Sequence, residues 1–169
     1  MTGSERAGPD DQAHADLSRR RRRRRLALLY RDPEVAFWTG PWTDGAVAAW
    51  AADMAAGWAR DGVGKWMARD RADGSLVGRG GFTRIDLDGE QVLELGWVVR
   101  DARIGRGYAT ELGRAALAWA AEHQPGVPVV AFTEVHNLAS RAVMEKLGLR
   151  PYGHHAARGP GRGAGRDAP

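Results

Sequence analysis

Apolar positions along this chain alternate between two periods. Val47, Trp50, Ala51, Met54 and Trp58 recur every three or four residues, which is one stripe of a helix. Thr43, an N-cap residue type, stands just ahead of them. The spacing predicts a helix from about Asp44 to Arg60, and tryptophans at that period are read as core packing. Lys65 to Arg69 reads as a short strand and Asp73-Gly74 as a turn. Leu76 to Ile85 and Gln91 to Val99 are strands joined at Asp88-Gly89, the spacing of a hairpin. A polar loop, Arg100 to Arg106, then leads into a helix from about Gly107 to His123, with Leu112, Ala116, Trp119 and Ala120 on one side. Pro128 to Thr133 is an apolar strand. Asn137 is placed to cap a helix that carries Ala139, Val143 and Leu147 and stops at Gly148. Leu149 to Tyr152 is expected to start one more strand. Strands and helices in this order predict one α/β domain.

Composition changes the picture mainly at the ends. The chain has 169 residues, enough for one domain, and its net charge is +4. Arg19 to Arg25 alone supply +7, whereas Tyr30 to Tyr152 hold 14 Lys and Arg against 16 Asp and Glu. The folded part is therefore mildly acidic, and the basic balance is poor evidence for a nucleic-acid-binding fold. Three segments follow: a polar, arginine-rich arm over residues 1–27, a domain over 28–152, and a flexible Gly/Arg/Pro tail over 153–169. His154-His155 in the tail reads as a solvated pair, and no metal site is expected. Leu26 to Tyr30 is too short for the apolar part of an export signal, and no run is long enough to span a bilayer. Cysteine is absent, which suits a reducing compartment; the expected location is cytoplasmic.

Chemistry concentrates where a strand hands over to a helix, at Ile104-Gly105-Arg106-Gly107-Tyr108-Ala109-Thr110-Glu111. Glycines there let main-chain N–H groups approach an anion without a Cβ in the way, and a helix start adds unpaired N–H groups. The segment lacks the Lys of a P-loop and the third Gly of a dinucleotide fingerprint. By spacing alone, a phosphate cradle and a plain structural turn remain equal readings. Glu94 shares a strand face with Val92, Gly96 and Val98. A carboxylate on such a face needs a cleft or a partner, so a reactive group and a buried ion pair both stay open. Glu134 is a weaker second acidic candidate.

Three segments together resemble the GNAT N-acetyltransferase superfamily: Leu93-Glu94-Leu95-Gly96-Trp97-Val98-Val99, the glycine turn above, and Asn137-Leu138-Ala139-Ser140-Arg141-Ala142-Val143-Met144-Glu145-Lys146-Leu147-Gly148-Leu149. Arg31-Asp32-Pro33-Glu34-Val35 is typical of its RimJ/RimL-like branch, and the likeness runs from about Leu28 to Tyr152. The resemblance implies a GNAT-like mixed, mostly antiparallel sheet flanked by helices, with two central strands, Gln91 to Val99 and Pro128 to Thr133, splayed around acetyl-CoA. It implies that main-chain groups of Trp97, Val98 and Val99 hold the pantetheine arm. The diphosphate would lie on the turn formed by Ile104, Gly105, Arg106, Gly107, Tyr108, Ala109 and Thr110. Ile104 departs from the Gln or Arg usual at its position; Arg103 or Arg106 supplying phosphate charge instead, and both being solvated loop arginines, are equal readings. Asn137 would face the sulfur end of the co-substrate. Glu94 would be the general base and Ser140 the proton donor, because the helix position that often carries a Tyr acid is Met144 here.

The implied activity is acetyl transfer from acetyl-CoA to a primary amine, on a protein N-terminus, a peptide or a small molecule, without a metal. Both ends depart from the family. The usual first strand is replaced by the polar arm, and the usual last strand pair by the Gly/Arg/Pro tail. Two other readings follow from those departures: an acyl-CoA-binding GNAT remnant without catalysis, and a binder of anionic surfaces such as RNA or lipid through Arg19 to Arg25.

Overall fold

The computed structural model describes residues 19–151, and the side chains of its first helix from Arg24 onward. The polar segment before Arg19, the tail beyond Gly153 and His154-His155 lie outside the described residues. In chain order the elements are α1 (Arg19–Tyr30), α2 (Pro33–Thr39), α3 (Asp44–Asp61), β1 (Lys65–Arg69), β2 (Leu76–Leu87), β3 (Glu90–Val99), α4 (Tyr108–His123), β4 (Val129–Val130) and α5 (Leu138–Lys146), with a 3-10 turn at Asp101–Arg103 after β3. The sheet order is β1-β2-β3-β4, antiparallel except for the parallel pair β3/β4.

The strand period divides the core in two. Trp66 and Met67 are neighbours in β1, so they point to opposite faces. Met67 joins Leu26, Leu29, Tyr30, Val35, Val47, Ala51 and Met54 from the first three helices. Trp66 joins Phe82, Leu93 and Leu95 from the sheet and Ala116, Trp119 and Ala120 from α4. The helical stripe expected from Val47 to Trp58 does serve as core. Val47, Ala51 and Met54 are buried, Trp50 lies beneath the Arg79 guanidinium at 4.3 Å, and Trp58 meets Trp66 and Trp119. Thr43 caps α3 by accepting from the Ala46 N–H at 3.1 Å.

Several segments differ from expectation. α1 takes in the whole arginine run, Arg19 to Arg25, and continues to Tyr30. Leu26, Leu29 and Tyr30 sit at i, i+3 and i+4, so one face of its last turns can bury while Arg24 stays exposed. α2 was not expected. It follows from Pro33 at its first turn and Glu34 near its positive end. The strand expected over Pro128 to Thr133 contracts to Val129–Val130, because β3 supplies a parallel partner only at Leu93 and Glu94. No strand forms over residues 149–151, and Tyr152 is outside the described residues. Among the described residues no helix is long and apolar enough to cross a membrane.

Candidate active site

The site begins where the sheet opens. β2 pairs with β3 from Leu87↔Glu90 to Gly78↔Val99. β4 pairs with β3 only at Leu93↔Val129 and Glu94↔Val130. Beyond that point β3 runs on through Leu95–Val99 with no strand of the described residues on its β4 side. Main-chain groups of this stretch that point away from β2 are left as an open sheet edge. The side chains anchor that edge from both faces: Trp97 packs on the α4-side cluster and Val98 on the α1/α3-side cluster.

The chain leaves this edge through the glycine loop. The Arg100 N–H donates to the Val77 carbonyl at 2.9 Å, and the Ile104 N–H to the Asp101 carbonyl at 3.0 Å. Gly105 and Gly107 then adopt φ of +75° and +84°, a left-handed conformation that favours glycine. A Cβ built on either would meet nothing within 4 Å, so the bend faces open space. Gly107 caps α4 without any side-chain bond to the helix amides. The first-turn N–H groups of Tyr108, Ala109 and Thr110 have no acceptor within a helix by its geometry. A helix of 16 residues also brings its positive dipole end to this point. Ile104 is exposed and Thr110 buried.

Of the two arginines considered for phosphate charge, Arg103 is engaged elsewhere. Its guanidinium pairs with Asp70 at 2.7 Å and Asp73 at 3.3 Å, and donates to the Ser75 hydroxyl at 2.6 Å. The Tyr108 hydroxyl donates to the same Asp70 carboxylate at 2.6 Å. That bond, then the Ala72 amide, holds Asp70 below the usual carboxylate range, and the Asp70 contact raises the Tyr108 phenol. Arg106 stays exposed on the loop. At the loop's start the buried Asp32 carboxylate accepts from the Asp101 N–H at 3.2 Å and from Arg100 Nε at 3.4 Å.

Glu94 is half-buried and lies opposite Thr83. The adjacent row on the same face is Lys65, Gly81 and Gly96, paired across three strands. Two glycines leave room for a long side chain to cross the sheet. Lys65, only 9% exposed, does so: its Nζ donates to the Gly81 carbonyl at 2.9 Å and the Glu94 carbonyl at 3.3 Å. Lys65 adjoins the candidate site through the Glu94 carbonyl, and the sequence reading did not single it out. Its signal is a lone Lys in an apolar strand, and it becomes informative only once the register sets two glycines beside it.

After β4 the chain reaches the start of α5. The buried Asn137 caps it, with Oδ1 accepting the Ser140 N–H at 3.0 Å, so of the two roles open to Asn137 the capping bond is made. Ser140 and Met144 are half-buried, and Glu134 is exposed. Leu147 occupies the place where Gly113 of α4 has no side chain, which docks the other end of α5. Before Asn137, His136 stacks on Trp38 of α2 with ring centroids 5.4 Å apart. Glu94, Trp97–Val99 and the glycine loop thus form one continuous segment along the opening. Asn137 and Ser140 follow β4, whose Val130 is the neighbour of Glu94.

Comparison with known proteins bears on the family and the fold. The sequence profile described as Acetyltransferase (GNAT) domain matches residues 19–150. The uncharacterized protein YkkB of Bacillus subtilis (strain 168) is 28% identical over 125 residues, 73% of each chain. A solved chain from Bordetella pertussis, described as a GnaT-family acetyltransferase, superposes with a TM-score of 0.76 at 24% identity, over 88% of this chain and 91% of that one. The structure of AAC(6')-Iy in complex with the bisubstrate analogue CoA-S-monomethyl-acetylneamine superposes with a TM-score of 0.58 at 20% identity, over 72% of this chain and 83% of that one. The solved chains share the fold, and the profile covers nearly every described residue: the chain belongs to the GNAT acetyltransferase family.

Proposed function

We propose that this chain moves the acetyl group of acetyl-CoA to a primary amine, a protein N-terminus or a small molecule, in a complex holding both substrates at once. The observation that carries the reading is the Leu95–Val99 edge of β3, without a strand partner on its β4 side among the described residues, running straight into an open glycine loop and the start of α4. An extended pantetheine arm fits such an edge as an added strand would. A diphosphate fits main-chain N–H groups at Gly105 to Thr110, where a Cβ built on Gly105 or Gly107 meets nothing of the described residues within 4 Å. The RimJ/RimL-like assignment rests on Arg31-Asp32-Pro33-Glu34-Val35, which spans the α1–α2 junction.

Acetyl-CoA, when bound, supplies a thioester carbonyl for the amine to attack. Glu94 takes the proton of the acceptor ammonium, directly or through one water, which frees the nitrogen lone pair. N–H groups around Trp97 to Val99 donate to the carbonyl oxygen as negative charge grows on it. Ser140 Oγ relays to the departing sulfur the second proton, which the nitrogen sheds once its bond to the carbonyl carbon has formed, and so ends as a hydroxyl again; Met144 has no proton to pass. Much of the rate comes from holding amine and thioester together, and no metal takes part. Asn137 contributes by fixing the turn that presents Ser140.

Titration calorimetry with acetyl-CoA, followed by a free-thiol assay against a panel of amines, tests the proposal. Saturable binding with amine-dependent thiol release supports it. Binding without release under every amine tried leaves an acyl-CoA-binding GNAT protein that is not an enzyme, and absence of binding removes the cradle.

A further inference from the structure

We infer that Asp32 and Asp70 are positioning residues for the diphosphate loop, stapling its two ends to the rest of the fold so that the Gly105 to Thr110 amides are set before the donor arrives. The inference rests on the proposed binding of acetyl-CoA and extends it to residues outside the glycine segment.

Glycines that free the loop to bend also leave it free to wander. Something must remove that freedom if amides are to converge on an anion, and the ordering is cheapest when done before binding. At the start, Asp32 lies beneath the loop, 8% exposed, and accepts from both Arg100 Nε and the Asp101 N–H. Asp32 is the N-cap residue of α2 but makes no side-chain bond to that helix, so its carboxylate is given over to the loop. At the end, Asp70 takes Arg103 and the Tyr108 hydroxyl, which bracket the glycines in sequence. The segment holding Asp70 is itself rigid. Asp70 also accepts the Ala72 N–H at 2.9 Å, and Asp73 accepts the Ser75 N–H at 2.8 Å. The β1–β2 turn is therefore a fixed post to which the cofactor loop is tied.

The sign of the effect separates positioning from plain electrostatics. Asp70 and Asp32 are anionic, so neutralising either should tighten the binding of an anionic diphosphate if charge alone mattered. In Asp70→Asn, Arg103 also loses one of its two carboxylate partners while keeping Asp73 and Ser75. Positioning predicts the opposite: weaker binding, confined to donors that carry the diphosphate.

Calorimetry on the full chain with acetyl-CoA and with acetyl-pantetheine, which lacks the diphosphate, reads this without any acceptor. Asp70→Asn is expected to weaken acetyl-CoA about tenfold and to leave acetyl-pantetheine unchanged. Tyr108→Phe, which removes one hydroxyl and no charge, should move the same ratio by a smaller factor, and it serves if Asp70→Asn folds poorly. Asp32→Asn tests the other end in the same way. Tighter acetyl-CoA binding, or equal weakening of both donors, overturns the inference. If the wild type binds both donors equally, the diphosphate cradle itself is refuted and the staple with it; a discriminating wild type beside unaffected variants refutes the staple alone.

Discussion

Gly107→Ala is the sharpest probe of the loop, because its two consequences have separate causes. Gly107 has φ +84°, and a Cβ there meets nothing within 4 Å. The strain of an alanine in that conformation is about 1–2 kcal/mol, whatever lies in front of it. For a domain of this size that lowers Tm by about 3–6 °C. The second consequence depends on a ligand. The new methyl projects at the point where the α4 amides begin, and it displaces an anion from at least one N–H. A hydrogen bond to a charged oxygen is worth about 1.5–3 kcal/mol, so Kd for acetyl-CoA should rise by a factor of about ten to a hundred. Gly126→Ala is the matched control. It has φ +79°, equal open space and the same strain, but lies beyond the far end of α4, whose 16 residues span about 24 Å. Thermal melts and calorimetry on both variants give the answer. If both melt earlier and both keep the wild-type Kd, the glycines serve only the turn and no anion rests on those amides.

Four further outcomes are expected. Glu94→Gln should lower kcat by about a hundredfold or more while leaving Kd for acetyl-CoA nearly unchanged; a variant with full turnover ends its role as base. Lys65→Met leaves the buried Gly81 and half-buried Glu94 carbonyls without their ammonium donor, and urea unfolding should show a loss of about 2–3 kcal/mol; a loss near zero means the ammonium is not held there in solution. Asn137→Ala should cost about 1 kcal/mol through its cap, whereas Ser140→Ala should slow turnover without shifting Tm; equal effects of the two on stability and rate would merge their roles. Asp70 titrates lower in the fold than its ordinary value of 3.8. Its stabilisation is thus complete above that pH and lost as pH falls through the lowered value. Melts taken below pH 4 should show Asp70→Asn lacking this part of the acid limb, and identical limbs would contradict the pairing.

Local patterns carried much of the architecture. The Val47–Trp58 stripe, the Asp88-Gly89 hairpin and the Asn137 cap each depend on residues a few positions apart, and all three stand where periodicity and capping chemistry put them. The candidate segment was readable for the same reason. Glu94, Trp97–Val99 and Gly105–Thr110 are contiguous, and glycine spacing at a strand-to-helix turn is itself a statement about main-chain geometry. α1 and α2 were less legible: seven arginines mask the short Leu26, Leu29, Tyr30 stripe, and a seven-residue helix has too little pattern to stand out.

What arose from contacts between distant segments could not be read in advance. How far β4 follows β3 depends on the pairing of two segments whose partners, Leu93 and Val129, are far apart in sequence, so a six-residue apolar run yields a two-residue strand and leaves the rest of β3 without a strand of the described residues on that side. Lys65 reaches Glu94 only because register sets Gly81 and Gly96 in one row. Arg103 looked available to a phosphate until the β1–β2 turn brought Asp70 and Asp73 to it. Short-range sterics and hydrogen bonding settle turns, caps and faces along one strand or helix; pairing of charges and the opening of a sheet are settled by packing, because that is what chooses which remote groups meet.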